Sequence, residues 1–170
     1  MTDQEKKSRT LQWWMQTILI GRNPRWTLIR IVILVVVCTV VFKFILLPIR
    51  VRGSSMSPTY RDGGVNFVIL LSYSRHEPQR FDVVSIRTSG ISYMYLKRII
   101  GLPGETIEFT DGKLFVNGKF VEEPFLKSQN HLEMPPRTLG PDEYFVAGDN
   151  RGMSQDGVAT RERIVGKVLL

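Results

Sequence analysis

The sequence predicts a mostly β domain of antiparallel strands, preceded by one N-terminal transmembrane helix. The first observation is a single apolar run about as long as a bilayer is thick. The second is that short apolar stretches after residue 50 alternate with Gly, Asn, Asp and Pro turns. The third is that no long stretch with the helical period of 3.6 residues occurs there. The predicted division is a cytoplasmic basic and amphipathic segment at 1–27, the helix at 28–47 and the β domain at 48–170.

The first two parts predict a membrane anchor. Residues 11–20 are apolar but too short to span, and their paired tryptophans favour a helix at the membrane interface, with a cytoplasmic hydrophobic contact as the alternative. Residues 28–47 would extend about 30 Å as a helix, with Arg30 and Lys43 close enough to its ends to reach water. Pro48 is expected to end the helix. The run exceeds a leader core and no Ala-x-Ala-like site follows, so we expect a retained anchor.

The charge distribution predicts orientation and argues against a nucleic-acid partner. The net charge is +7, but residues 1–50 hold eight basic and two acidic side chains. Residues 51–170 are nearly balanced, with 15 basic and 14 acidic side chains. The basic excess therefore belongs to the membrane-proximal end. The positive-inside rule places the N-terminus in the cytoplasm and the β domain across the membrane.

The strands are predicted from apolar and β-branched stretches between turn signals. Asp111-Gly112 and Asn117-Gly118 are typical of tight hairpin turns. The stretch around Met134-Pro135-Pro136 is expected to be a Pro-rich loop. The predicted strands are residues 65–71, 82–87, 93–100, 106–109, 113–116, 119–121, 144–147 and 164–168.

Few residues of this chain could serve as a conventional base or metal ligand. Cys38 is the one cysteine and lies in the apolar run, which excludes an intramolecular disulfide and a cysteine metal cluster. The two histidines, His76 and His131, lie in polar or Pro-rich surroundings typical of solvated loops. A hydrolase built on this chain would therefore need another base.

Three polar motifs offer one, at residues 53–59, 95–105 and 148–156. A serine hydroxyl needs a neighbouring base to act as a nucleophile, and a lysine can serve if burial removes its proton. In a strand, Tyr95 and Lys97 would share one face while Arg98 lies on the other. Spacing alone favours an ordinary surface lysine at position 97.

The ordered set of motifs resembles type I signal peptidases, which are membrane-anchored serine proteases with a Ser/Lys dyad, and this resemblance reverses that reading. It covers roughly residues 40–170. It implies that Ser55, directly before Met56, is the nucleophile and that Lys97 is the general base. It also implies that Ser154 hydrogen-bonds the Lys97 amine.

The resemblance implies further roles and a reaction. Supporting residues of the site would be Tyr95, Arg98, Asp149 and Asp156, with Asp149 pairing with Arg98. Substrate-binding residues would be Val51, Tyr60 and Leu96. The implied reaction is acyl transfer on signal-peptide-bearing precursors, bound as an extended strand, with no metal or cofactor. The expected location is the bacterial inner (cytoplasmic) membrane, in contact with lipid, although an organelle of bacterial descent stays open.

The chain departs from the family pattern at three places. Gly157-Val158 follow Asp156 where the family usually has Ser-Arg, so Arg151 or Arg98 would have to pair with Asp156. Gly53 stands where some members supply an oxyanion-hole hydroxyl, which leaves more of that task to the Ser55 N–H. Within residues 80–84, which resemble a fourth family motif, Phe81 occupies the usual glycine position.

Two other functions remain open from the sequence. A membrane-tethered, catalytically inactive homologue could bind leader peptides without cutting them, and the Gly157-Val158 departure is the support for it. A self-cleaving SOS-repressor-type protein shares the Ser/Lys dyad, but the 20-residue apolar run and the nearly neutral β domain argue against it.

Overall fold

The computed structural model describes residues 24–87, 94–126 and 132–169, in two compact units that divide between Lys43 and Phe44. The expected interfacial segment at residues 11–20 lies outside the described residues. Helix α1 spans Pro24–Phe44 and is the one helix among the described residues that is long and apolar enough to cross a membrane. Its Arg25–Phe44 part has 20 residues and a mean hydropathy of 2.5.

The predicted transmembrane segment is residues 28–47, whereas the helix of the structure spans Pro24–Phe44. Helix α1 begins earlier and ends at Phe44, before Pro48. Pro48 lies instead within strand β1, Leu46–Arg50, which pairs antiparallel with β2, Val65–Ile69. β1 is the edge strand of its sheet, where a missing N–H is tolerated. The β unit therefore begins a few residues before the expected position 48.

The second unit consists of two antiparallel sheets, which confirms the predicted fold class. A seven-stranded sheet has the order β1-β2-β11-β3-β4-β9-β10, and a four-stranded sheet has the order β7-β6-β5-β8. The remaining strands are β3 (Val83–Arg87), β4 (Met94–Gly101), β5 (Thr106–Thr110), β6 (Lys113–Val116), β7 (Lys119–Val121), β8 (Met134–Thr138), β9 (Glu143–Ala147), β10 (Gly157–Thr160) and β11 (Ile164–Val168).

All eight predicted strands are present with ends within two residues of the expected positions, but β1, β8 and β10 were missed. The expected Pro-rich loop is strand β8, which among the described strands pairs only with β5. Because β8 is an edge strand, Pro135 and Pro136 need not donate to a second neighbour. β10 is likewise an edge strand, and Gly157 at its start gives little β propensity.

Packing in the β unit places strand β4 centrally. Its apolar side chains belong to three apolar clusters: Leu96 packs with Val83 and Met56, Ile99 is grouped with Val84, and Ile100 is grouped with Ile107. Two residues of this strand, Lys97 and Arg98, are charged and nevertheless buried. These two side chains define the part of the fold where chemistry is expected.

Candidate active site

Ser55 lies in a tight turn directly after β1. The turn is closed by backbone hydrogen bonds from Ser57 N to Ser54 O at 3.0 Å and from Tyr60 N to Met56 O at 2.9 Å. Met56 is 1% exposed and anchors the turn in the apolar cluster below it. Ser55 itself is half-buried. Burial of its neighbour therefore fixes the Ser55 backbone at the surface of the cluster.

The loop after β9 holds this turn through three hydrogen bonds. Asn150 N donates to Ser55 O at 2.9 Å, and Asn150 Nδ2 donates to Ser54 O at 3.1 Å. Thr59 Oγ1 donates to Asp149 Oδ2 at 2.5 Å. The first and third motifs, nearly 100 residues apart in the chain, are thus joined directly.

Gly148 is the residue that allows these loops to approach. A Cβ at this position would overlap both the Ser55 carbonyl oxygen and Ser154 Oγ. Its N–H also donates to Ser154 Oγ at 2.8 Å and to Asp156 Oδ1 at 3.0 Å. Glycine is therefore required here by close approach, and it places Ser154 beside the Ser55 turn.

Lys97 reaches the same place from strand β4. It is 7% exposed, and its Nζ donates to Ser154 Oγ at 2.5 Å and lies 3.9 Å from Asp156 Oδ1. Ser154 Oγ in turn donates to Asp156 Oδ1. Desolvation by burial lowers the pKa of Lys97, the Asp156 carboxylate opposes this, and the Arg151 guanidinium adds to it. Burial therefore makes the Lys97 amine easier to deprotonate than that of a free lysine, and the neutral amine is the form that can accept a proton.

The Ser55 hydroxyl has no hydrogen-bond partner among the described residues. In this structure it is therefore not hydrogen-bonded to the Lys97 amine, which donates to Ser154 instead. The two residues are connected through Gly148, which contacts both the Ser55 backbone and Ser154. Catalytic hydrogen bonds are often long or absent until substrate binds.

Arg98 is the buried neighbour of Lys97 and has a different environment. Its Nε and Nη2 donate to the two oxygens of Asp149 at 2.8 and 2.6 Å, and Nη1 donates to Phe81 O at 2.9 Å. The guanidinium carbon lies 4.1 Å from the Phe125 ring centroid. Because Asp149 also receives the Thr59 hydroxyl, the expected Arg98–Asp149 pair ties strand β4 to the Ser55 turn.

Of the two arginines considered as partners of Asp156, the structure brings Arg151 close. Its Nε lies 4.0 Å from Asp156 Oδ2 and donates to Gly148 O at 3.0 Å. Its Nη2 donates to Glu123, which follows strand β7. Sequence reasoning missed Glu123, because an acidic pair before Pro124 carries no motif.

Phe81 has a φ of 71°, in the left-handed region that favours glycine. This conformation explains why glycine suits the position. Phe81 is held there by its ring, 5.3 Å from that of Phe125, and by its carbonyl, which accepts from Arg98.

The other predicted site residues differ in how close they lie to the Ser55 turn and in how buried they are. Val51, Tyr60 and Leu96 come together with Met56 in one buried cluster under the Ser55 turn. Tyr95 is 56% exposed and lies outside these contacts. The Gly53 N–H donates to Asp62 Oδ1 at 2.9 Å, so this amide is already engaged.

Among the described residues, no group of three or more His, Cys, Asp or Glu side chains could hold a metal ion. His76 is exposed beside Tyr73, and His131 lies outside the described residues. A buried amine hydrogen-bonded to a serine, beside a turn that presents a second serine, is an arrangement suited to proton transfer from a hydroxyl nucleophile. The class that fold and site define is a β hydrolase with an apolar N-terminal helix.

Comparison with known proteins identifies the family. Residues 25–170 match the family model described as signal peptidase, peptidase S26. Signal peptidase I T of Bacillus subtilis (strain 168) is 38% identical over 151 residues, covering 80% of this chain and 78% of that protein. Signal peptidase I of Bacillus licheniformis is 36% identical over 152 residues, covering 80% and 81%. A solved signal peptidase I from Enterococcus faecalis V583 is 31% identical, with a TM-score of 0.49 over 55% of this chain and 97% of that one. The chain belongs to the signal peptidase family S26, which confirms the resemblance seen in the motifs.

Proposed function

We propose that this protein is a membrane-bound serine endopeptidase that removes signal peptides from exported precursor proteins through Ser55 and Lys97. The observation that carries the proposal is the Lys97 amine, buried in strand β4 and hydrogen-bonded to Ser154 beside the Ser55 turn. The relatives named signal peptidase I supply the substrate class.

The reaction follows from this arrangement. The neutral Lys97 amine accepts the Ser55 proton as Ser55 Oγ attacks the scissile carbonyl, and it then donates that proton to the leaving amine. Water, deprotonated by Lys97, attacks the acyl-enzyme carbonyl, and Lys97 returns the proton to Ser55 Oγ as the acyl–Ser55 bond breaks. The Ser55 N–H makes no backbone hydrogen bond among the described residues, so it is available to the oxyanion. One such donor contributes about 3 kcal/mol to transition-state stabilisation.

Substrate recognition is proposed to rest on backbone pairing and on small side chains. An extended precursor segment would pair with the chain near Ser55 and Lys97. Val51, Tyr60 and Leu96 form an apolar floor under the Ser55 turn. By resemblance to the family, small side chains such as alanine would occupy the first and third positions before the cut, and these three residues are the proposed lining that selects them.

Helix α1 is proposed to anchor the enzyme in the bacterial cytoplasmic membrane with its N-terminus in the cytoplasm. The length and hydropathy of the helix support the anchor. The basic residues before it support the orientation. Protease added to intact spheroplasts should digest the β unit and spare the segment before the helix. A protected β unit would reverse the topology and remove the proposed function, because signal peptides emerge on the far side of the membrane.

The nucleophile is tested with a series of serine variants in the full-length chain. Ser55→Ala should abolish cleavage of a leader-bearing precursor, since it removes the attacking oxygen, while Ser54→Ala and Ser57→Ala serve as matched controls and should retain most activity. N-terminal sequencing of the product identifies the bond cut. An active Ser55→Ala enzyme beside an inactive Ser54→Ala enzyme would contradict the assignment.

A further inference from the structure

Behind Lys97 lies a buried group of charged side chains, formed by Asp156, Arg151 and Glu123. The Arg151 and Glu123 side chains are only 3% and 5% exposed and form an ion pair. Glu123 follows strand β7 of the four-stranded sheet, whereas Lys97 belongs to the seven-stranded sheet. The group therefore connects the second sheet with the catalytic lysine of the first.

The position of Arg151 is fixed by four contacts. Its Nε donates to Gly148 O at 3.0 Å and lies 4.0 Å from Asp156, its Nη2 binds Glu123, and its guanidinium carbon is 5.2 Å from the Phe109 ring centroid. Nη1 is buried without a partner among the described residues. Burying a charged side chain with an unsatisfied donor lowers the stability of the fold, so packing alone does not account for an arginine at this position.

We propose that Arg151 and Glu123 are positioning residues for Lys97. Glu123 holds the Arg151 guanidinium against Asp156, and Asp156 holds Ser154, which accepts the hydrogen bond of the Lys97 amine. The pair replaces the arginine that is absent at Val158. This inference rests on the proposed function, in which Lys97 is the general base.

The charges predict opposite effects for the two partners. Asp156 and Arg151 are the charged groups that face Lys97, and they shift its pKa up and down respectively. Arg151 faces Glu123 and Asp156, and Glu123 also lies within electrostatic reach of Asp149, which is paired with Arg98. Removing Arg151 therefore removes a repulsion and releases Asp156, and both changes favour protonated Lys97. Removing the Glu123 charge leaves Arg151 held by Gly148 O and Asp156 but less compensated, and the less compensated guanidinium favours neutral Lys97.

The test uses the full-length chain and two readouts. The pH dependence of kcat/KM is measured for Arg151→Met, Arg151→Lys and Glu123→Gln, and the Lys97 amine is titrated by NMR in the same variants carrying Ser55→Ala. Arg151→Met should raise the apparent pKa by roughly one pH unit, because it removes a positive charge that lowers the Lys97 pKa. Arg151→Lys should restore most of the original value, and Glu123→Gln should lower it by less than one unit.

The neighbouring exposed side chain, Glu122, provides the matched control. Glu122→Gln should leave both the titration and kcat/KM unchanged. A folded Arg151→Met protein with an unshifted Lys97 pKa would overturn the inference, and so would an unshifted Glu123→Gln protein if Arg151→Met fails to fold. Because the NMR titration requires no turnover, it gives an answer even if the precursor assay shows that Ser55 is not the nucleophile, so the two failures are distinguishable.

Discussion

Strand β4 places two buried cations next to each other, Lys97 and Arg98, and gives them opposite environments. Within the part of the chain that the structure describes, the Arg98 side chain makes three hydrogen bonds, two of them to the oxygens of Asp149. The Lys97 amine makes one there, to a neutral serine, and the nearest oxygen of its carboxylate neighbour is 3.9 Å away. Exposure does not distinguish them, at 7% for Lys97 and 6% for Arg98.

The difference shows how neighbouring residues of one strand can have different roles, a structural ion pair for Arg98 and the proposed general base for Lys97. A buried guanidinium with a two-oxygen partner is a fixed structural charge. The Lys97 ammonium has no such two-oxygen partner, and desolvation by burial lowers the pKa of Lys97 although the Asp156 carboxylate opposes this. Because adjacent residues of a strand point to opposite faces, Lys97 and Arg98 reach different hydrogen-bond partners, Ser154 and Asp149.

The largest effect is expected from exchanging one cation for the other. Lys97→Arg should lose roughly 10²–10⁴-fold in kcat, as should Lys97→Ala, because a guanidinium does not release its proton in the working range. Precursor cleavage measures this loss. Lys167→Arg is the matched control, since Lys167 pairs with Asp82 and does not contact the site, and it should retain activity. Near-normal turnover by Lys97→Arg would remove the general-base role.

Loss of Arg98 should act on stability instead. Arg98→Met leaves Asp149 as an unpaired buried charge and should lower the free energy of unfolding by about 3–5 kcal/mol. Lys97→Met should cost much less, because Asp156 keeps Arg151 as a neighbour. Urea unfolding of both variants measures the difference. Equal losses would mean that the two cations are not distinguished as proposed.

The pH dependence of activity sharpens the same contrast. Activity should rise with pH through the folded-state pKa of Lys97, which lies below the ordinary lysine value. Between these two values the unfolded chain binds more protons than the folded one, so Lys97 should also make stability rise with pH. The rise in stability should be missing in Lys97→Met, where unfolding is followed over the same pH range. An activity profile that rises only at the pKa of free lysine would contradict the effect of burial.

The smallest effect is expected at Val158, where the family usually has arginine. Because Arg151 already lies near Asp156, Val158→Arg should change kcat/KM by less than about threefold, a small difference on the free-energy scale. The precursor assay of the unmodified and variant chains tests this. Cleavage that is undetectable in the unmodified chain and appears with the arginine would favour the inactive-homologue reading instead.

The sequence by itself determined the parts that depend on local patterns. The apolar run predicts a helix, because backbone groups placed in lipid would have to be hydrogen-bonded within the segment. The alternating strands and their Asp-Gly and Asn-Gly turns were recognisable for the same local reason, as was the order of the three motifs. The candidate roles of Ser55 and Lys97 came from the family resemblance of those motifs, since spacing alone favoured an ordinary surface lysine at position 97.

Only the tertiary structure decided which buried charges meet. β1, β8 and β10 were invisible because edge pairing overrides the low strand propensity of proline and glycine. Sequence left Arg98 and Arg151 as equal candidates for Asp156, and the structure commits Arg98 to Asp149 and brings Arg151 to Asp156. Glu123 carries no motif, and it gains its position only because the second sheet packs its connection against the Arg151 loop. Desolvation of Lys97 is a property of the packed fold, since it depends on what surrounds the strand rather than on the residues beside it in the chain.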